Sequence, residues 1–574
     1  MAIDRREFLR TGAAGVALVG LSSAAVASLA GCAASALPHP GAAARAEGES
    51  PFLHGVASGD PLADRVILWT RVSPEAYRMG AAIRVGWWIA RDPGAKDVVA
   101  RGEVDALPER DFTVKVDAAG LTPGHAYHYG FVCEGVASPV GRTRTLPDVS
   151  VREVRFALAS CANLPQGFFN AYACIASRDD LDAVVHLGDY LYEYGNGEYG
   201  DGTALGRVPD PIHEIVSLED YRRRHAQYKR DPDLRAAHAR HPWIAVWDDH
   251  ESANDAWKDG AQNHTEGAAP GDANGKGKGE GAWAARRLAA IRAYHEWMPI
   301  RELPTGLFRT FRFGGLADLV MLDTRIHGRD ARVDRNDHAG AADPARSLLG
   351  AEQTAWLLEA LSASKRAGTR WRLIGQQVVF APLRGVFGDF NADSWDGYRA
   401  NRAAILDHLE REAIDDVVIL TGDVHSAWAL DVPAEAPVAA IGAAAKGAGG
   451  ESTSGAKAGS TPIADAGATS YDPATGRGSR AVEVVAPAVS SPPFGTHPQG
   501  RAMVEKSAPM NPQIRYSNVL ENGYVVLDLT AERVRAEFFA SEPVKTRSAV
   551  CHRRAVLEAQ AGANHWVVAG EGSG

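Results

Sequence analysis

The 574-residue sequence predicts an α/β protein with a β-sandwich domain at its N-terminal end. Two observations indicate this fold class. Between Phe52 and Pro147, short strand-like runs alternate with turn residues, which is typical of a small sandwich. From Val154 onward, strand-like runs alternate with amphipathic stretches of helical period, which is the pattern of a layered α/β domain. We therefore expect a β-sandwich domain over residues 51–148 and an α/β domain over residues 149–574.

The individual elements follow from apolar runs and from helix-boundary signals. In the first domain, strands are expected at Val66–Trp69, Ile83–Ala90, Thr113–Val116 and Tyr127–Val132. In the second domain, helices are expected at Trp283–Met298, Glu352–Lys365 and Tyr398–Glu412. Later strands are expected at Trp371–Ile374, Val417–Leu420, Val482–Val485, Tyr524–Leu529 and Val534–Phe539.

Two further segments have a distinctive composition. Residues 217–220 read Ser-Leu-Glu-Asp, a capping box that begins a helix, and the following run Tyr221–Arg224 is expected on a solvated helix face. Residues 434–480 are rich in Ala, Gly, Ser and Thr, which predicts a low-complexity insert in the second domain.

The charge balance limits the classes of partner. The chain has 61 basic and 71 acidic residues and a net charge of −10, which argues against a nucleic-acid-binding surface. No stretch after residue 32 is long and apolar enough to span a bilayer, so membrane contact is expected only through a lipid anchor.

The first 50 residues resemble an export signal. Arg5 and Arg6 precede a small-residue apolar stretch from Thr11 to Ala30, which is typical of a twin-arginine signal read by the twin-arginine translocase. The alternative is a Gly/Ala-rich first helix. Leu-Ala-Gly-Cys32 then resembles a bacterial lipobox with Cys32 as the acylated residue, while residues 44–46 offer a competing Ala-Arg-Ala cleavage site. We expect a periplasmic or cell-surface protein, with a tether up to residue 50.

The remaining cysteines are Cys133, Cys161, Cys174 and Cys551. A disulfide framework is usually denser and occurs in a smaller chain. Cys133, Cys174 and Cys551 are therefore expected to be buried thiols.

Four apolar runs end in side chains that can bind metal ions. They lead to Cys161, to Asp189 with Tyr192, to the run Asp248-Asp249-His250-Glu251 with Asn254, and to Asp423 with His425. Open α/β sheets build their sites at the carboxyl ends of strands. One such run has about even odds of being a turn or a salt-bridged surface. The occurrence of four predicts a single site.

The residue types indicate which ions this site would hold. The two oxygens of Asp189 can bridge two cations. Cys161 and Tyr192 are donors that suit iron better than an all-magnesium site. Cys161 as a nucleophile is the alternative, but no Cys–His order accompanies it. Arg325 can contact a phosphate group or form an ion pair with nearby Asp323.

The same motifs resemble those of the PhoD-like alkaline phosphatases. They are GVASGDP with VILWTR, SCAN, HLGDYLYEYG, WDDHESANDAW, LDTR, GQQ and TGDVHS, in the family's order and over nearly the whole chain. The resemblance implies a metallophosphoesterase-like α/β domain of two mixed sheets flanked by helices, after an N-terminal β-domain. It also implies hydrolysis of phosphomonoesters, phosphodiesters or both at an Fe³⁺ and Ca²⁺ site.

The resemblance also assigns roles to residues. Cys161, Asp189, Tyr192 and His425 would hold iron, and Asp189, Asn254 and Asp423 would hold calcium together with Asp249. His250 would act on the phosphate as acid or stabiliser, and Arg325 would be a supporting contact. The cations would activate a water or hydroxide for in-line attack on phosphorus.

Two alternative functions belong to other classes. The first is a phosphodiesterase of phospholipase D type that acts on lipid headgroups. The second is a non-catalytic binding lipoprotein built on a phosphatase relic. Relics usually lose ligands, and every expected ligand is present here.

Overall fold

The structure is a computed structural model that describes residues 50–73, 81–267, 279–388, 390–433, 471–497 and 499–571. Arg5, Arg6 and Cys32 of the predicted export and lipidation signals lie outside these ranges. Residues 434–470 of the predicted insert also lie outside them.

The nine strands predicted by range are all present among the 22 strands of the described ranges. In chain order they are β1 (Val56–Gly59), β2 (Arg65–Arg71), β3 (Ile83–Ala90), β4 (Val98–Ala106), β5 (Thr113–Ala119), β6 (Ala126–Cys133), β7 (Val136–Ala137), β8 (Gly141–Arg144), β9 (Glu153–Ala159), β10 (Ala183–His186), β11 (Pro242–Ala245), β12 (Arg309–Phe313), β13 (Ala317–Met321), β14 (Trp371–Gly375), β15 (Val417–Thr421), β16 (Ala427–Pro433), β17 (Ser479–Val485), β18 (Ile514–Asn518), β19 (Gly523–Thr530), β20 (Arg533–Ser541), β21 (Cys551–Gln560) and β22 (Val567–Glu571).

The helices of the same ranges agree with the amphipathic stretches. The α-helices are α1 (Asn170–Ala176), α2 (Leu218–Lys229), α3 (Pro232–Arg240), α4 (Trp283–Trp297), α5 (His338–Ala341), α6 (Gly350–Arg366), α7 (Arg399–Arg411) and α8 (Gly500–Ser507). Short 3-10 turns lie at Pro108–Arg110, Leu164–Gln166, Thr203–Leu205, Trp395–Gly397, Phe494–Thr496 and Ala508–Met510. The predicted capping box is present at the start of α2. The side chain of Ser217 accepts a hydrogen bond from the backbone N–H of Asp220, and the side chain of Asp220 accepts one from the backbone N–H of Ser217.

Two large mixed sheets form the centre of the fold. The ten-stranded sheet has the order β22-β21-β20-β19-β9-β10-β11-β1-β2-β5, and the seven-stranded sheet has the order β12-β13-β14-β15-β17-β16-β18. A shared apolar core contains buried side chains of both sheets, and Phe156 meets Phe313 edge to face with ring centroids 4.8 Å apart. The predicted pair of mixed sheets is confirmed.

The N-terminal strands build a third, smaller sheet and also extend the largest one. Strands β4, β3, β6 and β7 form the smaller sheet, with β8 pairing to β6, whereas β1, β2 and β5 belong to the ten-stranded sheet. The side chain of buried Asp60 accepts hydrogen bonds from Nη2 of Arg309 at 2.7 Å and from Arg301 N at 2.8 Å. The N-terminal strands are therefore joined to the second domain by backbone pairing and by a buried ion pair.

Sheet topology brings the predicted motifs to one edge. Strands β9, β10 and β11 are parallel neighbours, so the loops after them start side by side. Strands β13, β14 and β15 are parallel neighbours in the other sheet. The carboxyl ends of parallel strands meet at one edge of a sheet.

The prediction that Cys174 and Cys551 are free thiols is wrong. They form a disulfide whose Cα atoms lie 6.3 Å apart, although 377 positions separate them in the chain. Helix α1 packs on β20 and β21, which places Cys174 opposite the first residue of β21 within bridging distance. Cys133 and Cys161 are buried and not disulfide-bonded, as expected.

The prediction of a solvated face at Tyr221–Arg224 holds for exposed Arg223 but is wrong for Tyr221 and Arg224, which are buried. Arg224 is buried and donates to the carbonyl oxygens of Tyr192, Tyr194 and Pro211. Arg222 forms an ion pair with buried Glu296 at 2.7 Å. Helix α2 thus packs against the loop that follows β10, because Arg224 donates hydrogen bonds to that loop's carbonyl groups.

Within the described ranges, no helix has the length and apolar character that crossing a bilayer requires.

Candidate metal centre

The loops after the strands hold several predicted ligands in left-handed backbone. Cys161, Asp189, Asp423 and His425 have φ between 52° and 66°. Such conformations cost energy in residues other than glycine and cluster at functional sites. Gly188 precedes Asp189, and a Cβ atom there would lie 2.4 Å from Cβ of Asp248. Glycine is therefore required for the close approach of the two loops.

Three groups of donor atoms lie close enough to bind ions. The first cluster is Cys161, Asp189 and His425; the second is Asp189, Asp249 and His250; the third is Asp248, Asp249 and Asp423. Within each cluster the donor atoms lie within 4.8 Å of one another. Asp189 belongs to the first two clusters and Asp249 to the last two. The predicted residues thus form one continuous centre.

Tyr192 completes the first cluster. Its hydroxyl donates to Oδ2 of Asp189 at 2.9 Å and lies 3.0 Å from Nε2 of His425. Ser491 donates to the same hydroxyl at 2.7 Å. By contrast, Tyr190 lies 2.9 Å from Nε2 of His238, in a buried aromatic group behind the centre. Tyr192 therefore faces the centre, whereas Tyr190 points away from it.

The donor atoms of the centre fit bound cations. Oδ1 of Asp189, Oδ2 of Asp248 and Oδ1 of Asp249 are buried and have no hydrogen-bond partner among the described residues. Buried carboxylate oxygens are costly unless they are paired or bind a cation. The thiol, phenol and imidazole of the first cluster suit a transition metal, whereas the third cluster offers the oxygen donors of a hard cation.

The electrostatics of the centre are consistent with this fit. Burial, followed by the negative charge of Asp189, raises the pKa values of Cys161 and Tyr192 well above their ordinary values. Burial also raises the pKa of Asp423 well above its ordinary value, despite the opposing charge of Arg325. Metal ligands must be deprotonated to bind. A bound cation would therefore supply the positive charge that these groups need to ionise.

Glu251 connects two of the ligand loops. Its carboxylate accepts hydrogen bonds from the backbone N–H groups of Asp189 at 3.1 Å, Tyr190 at 2.7 Å and Asp248 at 2.8 Å. Burial and the charge of Asp189 raise its pKa to about 8. Glu251 therefore fixes the backbone of the loops that present Asp189 and Asp248.

His250 is oriented by a residue that the sequence reasoning missed. Nδ1 of His250 lies 2.7 Å from Oε2 of Glu193, and the imidazole stacks on Tyr192 with ring centroids 4.2 Å apart. Burial lowers the pKa of His250, but the charges of Asp249, Glu193 and Asp189 outweigh burial and raise it well above its ordinary value. The only signal for Glu193 was a carboxylate in an otherwise aromatic stretch.

Arg325 lies among carboxylates. Its guanidinium donates to Asp248, to Asp393 at 2.7 Å and to Asp423 at 2.9 Å. Asp323 instead accepts the backbone N–H of Arg325 at 2.9 Å, so it positions the loop and forms no ion pair with the guanidinium. Asp393 was not predicted from the sequence, because its loop had no ligand-like motif.

Asn254 is half-buried beside the centre. Its side chain donates to Gln262 at 2.9 Å, and its backbone N–H donates to Glu193 at 2.7 Å. The assignment of Asn254 as a calcium ligand stays a prediction.

Two stacked mixed sheets with strand ends converging on buried thiol, phenol, imidazole and carboxylate donors define an α/β protein suited to holding metal ions. The PhoD-like phosphatase family matches residues 156–538, and the N-terminal domain of PhoD-like phosphatases matches residues 34–147. Because the match over residues 156–538 covers most of the chain, the protein belongs to the PhoD-like phosphatase family.

Individual relatives agree with this assignment. Alkaline phosphatase D of Bacillus subtilis (strain 168) is 40% identical over 403 residues. That match covers 67% of this chain and 66% of the relative, just under two thirds of its length. A solved structure described as the structure of PhoD is 32% identical with a TM-score of 0.75, covering 91% of this chain and 93% of its own.

Proposed function

We propose that this protein is a metal-dependent phosphoesterase of the alkaline phosphatase type that hydrolyses phosphomonoesters, phosphodiesters or both. The observation that supports this most is the continuous centre in which Asp189 and Asp249 link three donor clusters beside His250. Family membership supports the same reaction class. A phosphate has charged oxygens that such a centre can neutralise when cations are bound.

We assign the ions from the family resemblance, and the chemistry of the donors supports this assignment. Fe³⁺ would be held by Cys161, Asp189, Tyr192 and His425, since thiolate and phenolate are donors that hard alkaline-earth ions rarely select. Calcium, as two ions, would be held by oxygen donors from Asp189, Asp249, Asn254 and Asp423.

The chain's own residues would guide the reaction. The chemistry supplied by bound cations is neutralisation of phosphate charge and a lowered pKa for the attacking water. Because Nδ1 of His250 is hydrogen-bonded to Glu193, Nε2 is the ring nitrogen that remains available to contact the phosphate. The charges of Asp249, Glu193 and Asp189 outweigh burial and raise the pKa of His250, which favours the protonated ring. His250 would stabilise the phosphoryl oxygens during in-line displacement and donate its Nε2 proton to the leaving oxygen.

We further propose export through the twin-arginine translocase to the periplasm or cell surface. Arg5 and Arg6 form the signal, and Cys32 is the lipid-anchored residue. The Cys174–Cys551 disulfide supports an oxidising destination, because structural disulfides are rare in a reducing cytoplasm.

A substrate panel with elemental analysis of one preparation tests the proposal. The purified protein is assayed with p-nitrophenyl phosphate, bis-p-nitrophenyl phosphate, a glycerophosphodiester and phosphatidylcholine vesicles. We expect release of phosphate or alcohol from the first three and a content of iron and calcium. Headgroup release from the vesicles alone would favour the phospholipase D alternative. A full metal complement without any turnover would favour the binding lipoprotein.

A further inference from the structure

The guanidinium of Arg325 is enclosed by acidic side chains. Arg325 is fully buried, and each of its three nitrogens faces a carboxylate. Nε donates to Asp248, Nη1 to Asp393 at 2.7 Å and Nη2 to Asp423 at 2.9 Å. Nη2 also lies 3.6 Å from Asp249. The guanidinium of Arg325 is therefore the common positive partner of the three carboxylates of the third cluster.

This arrangement leaves the guanidinium poorly suited to bind substrate. A phosphate would have to displace one of the paired carboxylates to reach Arg325, and the side chain has no exposed surface. His250 has an exposed fraction of 7% and lies beside Asp249, one of the same carboxylates, so it is the more accessible of the two side chains.

The carboxylates need a counter-charge at their observed spacing. Donor oxygens of Asp248, Asp249 and Asp423 lie within 4.8 Å of one another in a buried environment. Like charges at such a distance repel strongly where water is excluded. The planar fork of an arginine can bridge several carboxylates in fixed directions, whereas a lysine is a compact point charge.

Backbone and side-chain contacts fix the guanidinium itself. Asp323 accepts the backbone N–H groups of Arg325 at 2.9 Å and of Ile326 at 2.8 Å. Asp393 is paired on its other side with Arg329, which also donates to Asp393 O at 2.7 Å. Arg325 is thus held from its backbone and from the far end of its side chain.

We propose that Arg325 is a positioning residue that holds Asp248, Asp249 and Asp423 at the spacing required for cation binding, and that it does not contact substrate phosphate. The proposal rests on the phosphoesterase function given above. It assigns Arg325 a role different from the phosphate contact that the family resemblance implies. Asp393, which accepts a hydrogen bond from Nη1, fixes the orientation of the Arg325 guanidinium group.

The test separates calcium affinity from phosphate affinity. Wild type, Arg325→Lys and Asp393→Asn are treated with EGTA and titrated with Ca²⁺ alone by calorimetry, and their metal contents are measured. KM for p-nitrophenyl phosphate and the inhibition constant of inorganic phosphate are then measured at saturating Ca²⁺. Arg71→Lys is the matched control, because Arg71 is a buried arginine whose partner Asp111 lies outside the three donor clusters.

We expect Arg325→Lys to weaken calcium binding by about 10–100-fold, the usual effect of losing a residue that orients metal ligands. KM and the phosphate inhibition constant should stay within about threefold of wild type, since no substrate contact is lost. Arg71→Lys should lower the melting temperature and leave calcium affinity unchanged.

Asp393→Asn keeps the test decisive if Arg325→Lys does not fold. The proposal expects weaker calcium binding and unchanged phosphate inhibition. A phosphate-binding Arg325 would instead be released by this change and would lower the phosphate inhibition constant.

Unchanged calcium affinity in the variant of either residue overturns the proposal. A tenfold rise in KM or in the phosphate inhibition constant for Arg325→Lys at saturating Ca²⁺ overturns it as well, because it would show that the guanidinium binds substrate phosphate. If wild-type protein hydrolyses no phosphate ester, the proposed function fails, while the calcium titration still tests Arg325.

Discussion

Nδ1 of His250 lies 2.7 Å from Oε2 of Glu193, and both side chains are buried. The other oxygen of Glu193 accepts the backbone N–H of Asn254 at 2.7 Å and the side chain of Asn263 at 2.8 Å. Burial raises the pKa of Glu193, but the charge and hydrogen bond of His250 outweigh burial and hold it below its ordinary value. The carboxylate is therefore fixed in place and keeps the imidazole in one orientation.

The first prediction concerns this pair. His250→Ala should retain its metals and lose about 10²–10⁴-fold in kcat, the usual contribution of a general acid. Glu193→Ala should also lower kcat, yet add little in the His250→Ala background, because it acts through the imidazole. The measurements are kcat, KM and metal content of both single variants and the double variant. Additive losses would mean that Glu193 acts independently.

The second prediction concerns the shared ligand. Asp189→Ala should lose metal from both neighbouring clusters and lower the melting temperature, since Asp189 belongs to the first and second clusters. Asp423→Ala, which belongs only to the third cluster, should retain the metal of the first. Elemental analysis and thermal denaturation measure both. Full metal content and activity in Asp189→Ala would contradict a bridging role.

The third prediction uses colour. If Tyr192 binds ferric iron as a phenolate, the protein should absorb visible light, and Tyr192→Phe should bleach or shift that band. Tyr190→Phe is the control, because its hydroxyl contacts His238 and not the centre. Absorption spectra and iron content of both variants decide this. A colourless, iron-free and fully active wild-type protein would exclude iron but leave the phosphoesterase function standing.

The fourth prediction concerns Lys229, which burial holds at a pKa well below 10.5. Its ammonium group lies 3.0 Å from Nε2 of His238 and 4.7 Å from the ring centroid of Trp69. The unfolded chain keeps this proton below pH 10.5 while the folded chain releases it, so the stability contribution is lost as pH falls. Lys229→Met should therefore raise the melting temperature, and by more at pH 7 than at pH 9.

Thermal denaturation at both pH values checks this, with exposed Lys545→Met as the control. An equal or smaller gain at pH 7 would show that Lys229 keeps its charge in the folded state.

The fifth prediction concerns export. Arg5→Lys combined with Arg6→Lys should leave precursor in the cytoplasm, because the translocase reads the guanidinium pair. Cys32→Ser should abolish lipid labelling and release soluble enzyme. Cell fractionation and labelling with a fatty-acid analogue measure these outcomes. Normal export of the double variant would exclude this route, and absence of labelling in wild type would favour cleavage near Ala46.

The sequence predicts those parts of the site that follow strands. Asp189 and Asp423 follow buried apolar strands, and parallel pairing within each sheet sets each of them beside the loop that follows a neighbouring strand. Contacts between distant segments gave no local signal. Asp393 meets Arg325 across 68 positions, and Cys174 meets Cys551 across 377. The burial of Arg224 was missed for the same reason. An arginine on an exposed helix face and one that donates to the carbonyl groups of a distant loop have the same local sequence pattern.

The order of the ten-stranded sheet has a consequence for biosynthesis. Its central strands β9, β10 and β11 lie between β1 and β2 on one side and β19 and β20 on the other. Val526 of β19 pairs with Ala157 of β9, so one edge of the central strands stays open until residues beyond 520 have left the ribosome. Such distant pairings delay folding. The central strands therefore gain their last neighbour only after β19 has been synthesised, so a chain that is cut before β19 leaves β9 as an open sheet edge.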